Sequence, residues 1–499
     1  MEQQELFRTD ANDYAQGAFP PSRLGNSSEL DCTRLGVGSR LYQQPEEDTS
    51  QKPLVFPLKD KDLPPIIREV VGNAPQNRKL PCFVACLSPL CALAPRVRLQ
   101  YYYDGTRPSA LLLQVIIEAP QSCGKQFAAD IEKLIMDNTL KAQDQQQRRL
   151  EQDYREKKKR RKANEKLEEE PRTTIRVIPA TISKTVLVKR ADFYERNLGD
   201  IVFFWMFAEE LAQVTDAGKQ GYSNLRTIMR TAYDLGSRFG MDFASDNSYS
   251  AIVDINICSM FCSTASALDE YMDRRAIEGG NITRTVLCQL DDQLGADGAM
   301  FRPYTSAQME AINRMLSRLM DETYDADGNL RPIRRLDTSW LDKDVRKWCV
   351  SKGQEALQCG SYAIDVFRKR ASVSAFRIAA LCYYLYLLEE GDPINHQPYT
   401  IHQKRCRRIY YFMADYILNT LLKRWGKTFE ELQSKRFEGI AESSRPKLID
   451  RLGKDFTRDQ LRALIQELKV ATPDRVLISQ WKANKWIEQT DKFQYRKLI

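Results

Sequence analysis

The sequence predicts an α/β fold: a mostly parallel sheet flanked by helices, followed by an all-α region and a terminal winged-helix-like domain. Three observations carry that expectation. Short apolar runs at 111–117, 201–207 and 251–261 alternate with amphipathic stretches, the pattern of successive βα units. From Trp340 onward apolar residues recur at helical spacing, and residues 445–499 read as helix, helix, helix, strand. With 499 residues, 42% of them apolar, the chain can bury a large core and divide into several domains. The expected divisions are a polar arm at 1–55, an α/β core at 56–335 with a charged helical insertion at 141–171, a helical lid or bundle at 336–440, and the small terminal domain at 441–499.

Residues 1–55 carry Gly, Ser, Pro and acidic turns without sustained periodicity, hence the arm. The opening MEQQELFRTD has no basic-then-apolar leader, and the longest apolar runs, such as 379–388, fall short of a membrane span. A cytoplasmic protein without a membrane partner is the expectation. Residues 64–94 read as two short helices packed on the sheet. Gln100 to Tyr103, followed by Asp104-Gly105, reads as a strand and turn that form a hairpin with 109–120. Its three tyrosines either alternate between core and surface or stack a base.

The hairpin leads into Ala119-Pro120-Gln121-Ser122-Cys123-Gly124-Lys125-Gln126, and then into a helix whose apolar face holds Phe127, Ile131, Leu134 and Ile135. Strand, small-residue loop and Gly-Lys at a helix start form a phosphate-binding arrangement. Backbone N–H groups hold phosphate oxygens while Lys125 reaches the outer phosphates. Ala119 replaces the usual first glycine and Gln126 the usual magnesium-binding hydroxyl, so the loop also reads as a plain helix start with a solvated lysine.

After the charged insertion, which offers either a solvated face or a nucleic-acid contact, order returns with a strand at 174–178 and a helix at 183–197. The run 201–207 is apolar on both faces, as buried parallel strands are, and ends in Glu209-Glu210. Carboxylates at that strand end suit Mg²⁺ and the orientation of attacking water. The run 251–261 ends in Cys262-Ser263-Thr264, where the two hydroxyls either contact a γ-phosphate or cap a helix; Cys258 and Cys262 read as core. Arg284, after Gly279-Gly280, is either an arginine finger or a surface charge. In this order the parts match a RecA/AAA-like P-loop NTPase using ATP and Mg²⁺.

The rest of the composition agrees. With only His396 and His402, histidine acid–base chemistry and multi-histidine metal sites are excluded as the main activity; the twelve cysteines contain no CxxC pair. A net charge of +8, clustered at Arg148-Arg149, 157–162 and 405–408, points to a polyanion. In the long amphipathic helices at 366–388 and 403–425, Arg405, Arg407 and Arg408 are the cations assigned to DNA. At the C-terminus, Thr457 and Thr472-Pro473-Asp474 open two helices. The second would present Gln480, Lys482 and Lys485 to a DNA groove, with TDKFQYRKL as a wing.

At these residues the chain resembles a family of P-loop proteins of bacterial mobile elements and prophages, regarded as helicase- or replication-like ATPases and at times joined to primase-like domains. The family's APPASGKG stands here as 119–126, with Gln121 and Gln126 in place of Pro and Gly. The charged insertion, the acidic strand end at Glu209-Glu210, Ser263-Thr264 and the loop to Arg284 match in order, across about residues 60–430. The resemblance implies an ATP-hydrolysing, helicase-like replication protein that acts on single-stranded DNA as a homo-oligomeric ring, with a primase-like partner. Two rivals fit the same residues: a non-hydrolysing DNA-binding or scaffold protein with a degenerate nucleotide site, and an ATP-dependent phage-defence protein.

Overall fold

The computed structural model describes residues 56–161, 169–200, 203–219, 225–242, 249–290, 298–391, 400–433, 449, 451–467, 474–483 and 486–498. The expected arm at 1–55 lies outside them. At the centre is a five-stranded sheet of Gln114–Glu118 (β1), Val177–Pro179 (β2), Phe203–Ala208 (β3), Asn256–Ser263 (β4) and Thr285–Gln289 (β5), in the order β2-β3-β4-β1-β5. Every neighbouring pair is parallel, with Ile117 opposite Cys262 and Cys288, and Ala208 opposite Phe261. Strands covered on both faces read as largely apolar runs, and all of β1 and β4 is buried, including the polar Gln114, Glu118, Asn256, Ser259 and Ser263.

The two helices expected from 64–94 are Pro65–Gly72 and Lys79–Ala92 (α1), the second buried along nearly its whole length. It packs on the sheet beside Gln126–Met136 (α2). The tyrosine strand is displaced: Val97–Leu99 pairs antiparallel with Ser109–Ala110, and Tyr101 to Tyr103 fall in the turn beyond. Tyr101 is buried there, its hydroxyl 2.8 Å from Ser372 Oγ. The run 251–261 is likewise broken. Ala251–Asp254 pairs with Arg238–Met241, and only Asn256 onward enters the main sheet.

The described part of the charged insertion is the helix Ala142–Arg160, fixed at its root because buried Asp144 accepts from the backbone N–H of Arg176 (3.0 Å) and Val177 (2.7 Å). Two long helices, Tyr362–Glu389 (α3) and Thr400–Leu421 (α4), run antiparallel, with Ser372 meeting Tyr410 and Tyr386 stacked on His402. By length and composition α3 is apolar enough to cross a membrane, longer than the separate runs in the sequence suggest, and its apolar stretch is wholly buried inside the protein.

Residues near the C-terminus form a small unit with its own core of Phe456, Leu461, Leu477, Trp481, Ile487 and Tyr495. Helices Arg458–Glu467 and Asp474–Ala483 accompany an antiparallel sheet of Asp455–Thr457, Gln494–Lys497 and Ile487–Asp491. Thr457 and Gln460 cap the first helix reciprocally.

Candidate functional site

In a parallel sheet all strands end on one edge, and ligands settle where connections leave neighbouring strands in opposite directions. Here that place lies between β1 and β4, because the chain passes from β1 toward β2 on one side and from β4 across β1 to β5 on the other. The loop after β1 occupies it. Ala119 is buried and its N–H donates to Ser263 O at 2.9 Å, closing the gap between the two strand ends. Ser122 and Gly124 then take left-handed φ of 64° and 70°. A non-glycine residue in that region carries strain of about 1 kcal/mol, typical of loops shaped for a ligand. No side chain caps α2, which starts after Lys125; the Ala128 N–H turns back to Lys125 O at 3.0 Å, and the N–H groups of Gln126 and Phe127 begin the helix facing the loop.

Lys125 and Glu209 both act electrostatically on the end of β4. Burial pushes the Cys262 thiol up to about 12, with the Lys125 ammonium drawing it down and the Glu209 carboxylate driving it further up. Both groups therefore lie within electrostatic reach of one strand end. Glu209 and Glu210 are exposed, directly before the helix Leu211–Lys219. Ser263 is buried and donates to Thr264 O at 2.8 Å; Thr264 caps Ala265–Tyr271 through Ala267 N–H at 3.4 Å. Gln126 leans along its own helix, donating to Asp130 at 3.4 Å. Cys258 and Cys262 are buried in β4, as core residues. No group of three or more metal-ligating side chains occurs among the described residues.

Sequence reading missed several residues here. Glu118, the last residue of β1, is buried and accepts from Gln289 Nε2 at 2.8 Å and from Arg424 Nε at 3.2 Å. Arg424 belongs to a π-helical turn, Leu422–Gly426, that continues α4, and it also reaches Asp269 at 2.6 Å. It ties β1 to the helix after β4. On the other side buried Arg78 donates to Cys123 O at 3.1 Å, bracing the loop. Glu118 was visible as an acid ending an apolar run. Nothing local marks Arg78 or Arg424, whose partners are far away in sequence.

Several expected residues are elsewhere. Arg284 precedes β5, so parallel pairing puts it at the amino edge, a strand length of about 13 Å from the loop. It donates to Gly280 O at 3.1 Å and is not brought to the Lys125 site within this chain. Arg407 and Arg408 are not surplus cations: they pair with Asp344 (2.9 Å) and Asp62 (2.8 Å), while Arg405 lies over the Tyr386 ring at 5.5 Å. Lys482 donates to Gln489 and sits 5.3 Å from the Tyr495 ring, turned onto its own hairpin rather than toward a groove. Gln480 lies within Asp474–Ala483, but its side chain, like the whole of Lys485, is outside the described residues.

Compared with known proteins, the chain matches no protein-family model and no curated protein sequence.

Proposed function

We propose that the chain is a Mg²⁺-dependent ATPase with a RecA/AAA-like P-loop core that works on nucleic acid. The observation carrying this reading is the strand order β2-β3-β4-β1-β5. It sets one strand between that of the phosphate loop and that of the acid, the spacing of RecA/AAA-like enzymes, with Lys125, Glu209 and Ser263 on the same edge. The uncapped start of α2 and Lys125 suit a triphosphate, which supplies the γ-phosphoryl group when bound. Glu209 or Glu210 would hold Mg²⁺ and orient water; one or two carboxylates suffice, since magnesium takes its remaining ligands from phosphates and water. Ser263 or Thr264 would reach the γ-phosphate by giving up its present backbone partner.

The helix pair and hairpin at the C-terminus have the order of a winged helix, which supports DNA as the partner. A homo-oligomeric ring, in which Arg284 serves a neighbour's site, and a primase-like partner belong to the same proposal, as does the kinship with mobile-element ATPases. One observation favours the second reading, a non-hydrolysing nucleotide switch: Gln126 offers magnesium no hydroxyl and is turned toward Asp130.

The test is ATP binding and hydrolysis by the full chain, with and without single-stranded DNA, in wild type, Lys125→Ala and Glu209→Gln/Glu210→Gln. DNA-stimulated turnover lost in both variants establishes the enzyme. ATP binding that depends on Lys125 without turnover establishes the switch. No ATP binding by wild type overturns both.

A further inference from the structure

The tyrosine run and the surroundings of Arg284 come together at the opposite, amino edge of the sheet. Arg284 sits above the start of β5, near Arg370, Asp234, Tyr233 and Arg230. Arg370 pairs with Asp234 at 3.3 Å and is itself close to Tyr103. Arg377, 2% exposed, pairs with Asp234 at 3.0 Å and lies 4.2 Å from the Tyr233 ring.

Charge at this edge is unbalanced. Arg284 has Arg230, Arg370 and Asp234 around it, and Asp234 is shared by Arg370 and Arg377; the other carboxylate nearby is Asp104, next to Tyr103. The Asp104 carboxylate is already engaged by the turn, accepting from the N–H groups of Thr106 and Arg107. Arg284 Nε is buried without a hydrogen-bond partner among the described residues, and burial together with Arg370 holds its guanidinium below the usual arginine range. Gly279-Gly280 explains how the cations come so close. A Cβ at Gly279 would meet Arg230 Nη1 at 3.0 Å, and one at Gly280, where φ is +78°, would meet Arg284 Nη1 at 3.1 Å. The glycines make room for arginines rather than for a nucleotide.

Beside these cations Tyr103 is 66% exposed, propped edge-on against buried Tyr101 with ring centroids 4.7 Å apart. A fixed, solvent-facing aromatic ring next to an excess of guanidinium groups has the chemistry of a single-stranded nucleic-acid site, in which a base stacks and backbone phosphates pair with arginine. We propose that the amino edge binds single-stranded nucleic acid, with a base on Tyr103 and phosphates on Arg230 and Arg370, the arginines beside Arg284. This rests on the nucleic-acid half of the reading above and is independent of ATP hydrolysis.

Anisotropy of a labelled dT20 oligonucleotide with the full chain tests it. Tyr103→Ala should weaken binding about tenfold and Tyr103→Phe should restore it, as stacking requires. Arg230→Gln and Arg370→Gln should each weaken it severalfold. The exposed position of Tyr103 keeps this variant folded, and an unchanged melting temperature checks that. Wild type that fails to bind dT20 overturns both this site and nucleic acid as the partner. Binding that survives Tyr103→Ala, or that falls only in the arginine variants, overturns this site alone. Tighter binding of a 20-base-pair duplex overturns it as well.

Discussion

Two clusters at the two edges of the central sheet differ in charge. At the carboxyl edge Arg424 is held between Glu118 and Asp269, and Lys125 and Glu209 act on the end of β4. At the amino edge the arginines around Arg284 crowd one another, with Asp234 shared by two of them. Balanced charge with a strained loop suits a small anion accompanied by a metal ion. Unbalanced charge with an exposed ring suits a long polyanion, whose binding releases counterions.

The strongest way to break this contrast is Lys125→Ala. ATP turnover should fall by about 10² or more, as loss of a group aimed at developing charge does, while the dT20 affinity of the nucleotide-free protein stays as it was. Equal losses of both, read by a coupled phosphate assay and by anisotropy, would merge the two sites into one.

Next in size is the Glu118–Arg424 pair. Glu118→Gln leaves a guanidinium that is four-fifths buried with only the exposed Asp269. Unfolding stability in urea should drop by about 2 kcal/mol, below the full penalty for a wholly buried ion because Arg424 keeps some solvent. In a double-mutant cycle with Arg424→Gln a coupling of about 1 kcal/mol is expected; additivity would show that the pair is incidental.

Salt separates the edges by a smaller effect. Two phosphate contacts predict that log affinity for dT20 falls against log salt with a slope of about −1.4, since single strands lose about 0.7 per contact. A slope near zero would remove the arginines from the interface. The smallest expected change is Ser122→Gly. It relieves a left-handed serine but frees the unfolded chain, so stability should move by less than about 1 kcal/mol, measured as a urea midpoint.

Much of this arrangement was written locally. Phe203–Ala208 is apolar on both faces because it is covered on both faces, and Lys125 was marked by the strand before it and the helix after it. Arg284 lies away from the Lys125 loop within this chain for a reason the topology supplies: a residue that precedes a parallel strand lies at the amino edge, whatever loop it follows. Gln100 to Tyr103 looked like a strand, yet Tyr101 and Tyr102 find their places against α3 and its neighbours rather than in a ladder. The pairings of Arg407 with Asp344 and of Arg408 with Asp62 span 63 and 346 positions, beyond any local pattern.

The antiparallel helices give this architecture a mechanical side. Arg370 and Arg377 project from α3 to the amino edge, and Arg424 leaves the end of α4 for the carboxyl edge. Helices of 28 and 22 residues, about 42 and 33 Å long, are locked together by Ser372–Tyr410 and the Tyr386–His402 stack into a stiff pair. The antiparallel pairing sets Arg424 beside the start of α3, and Arg370 lies about two turns into that helix, so the two arginines share one half of the pair. Loosening Arg424 from Glu118 would load the same rod that carries Arg370.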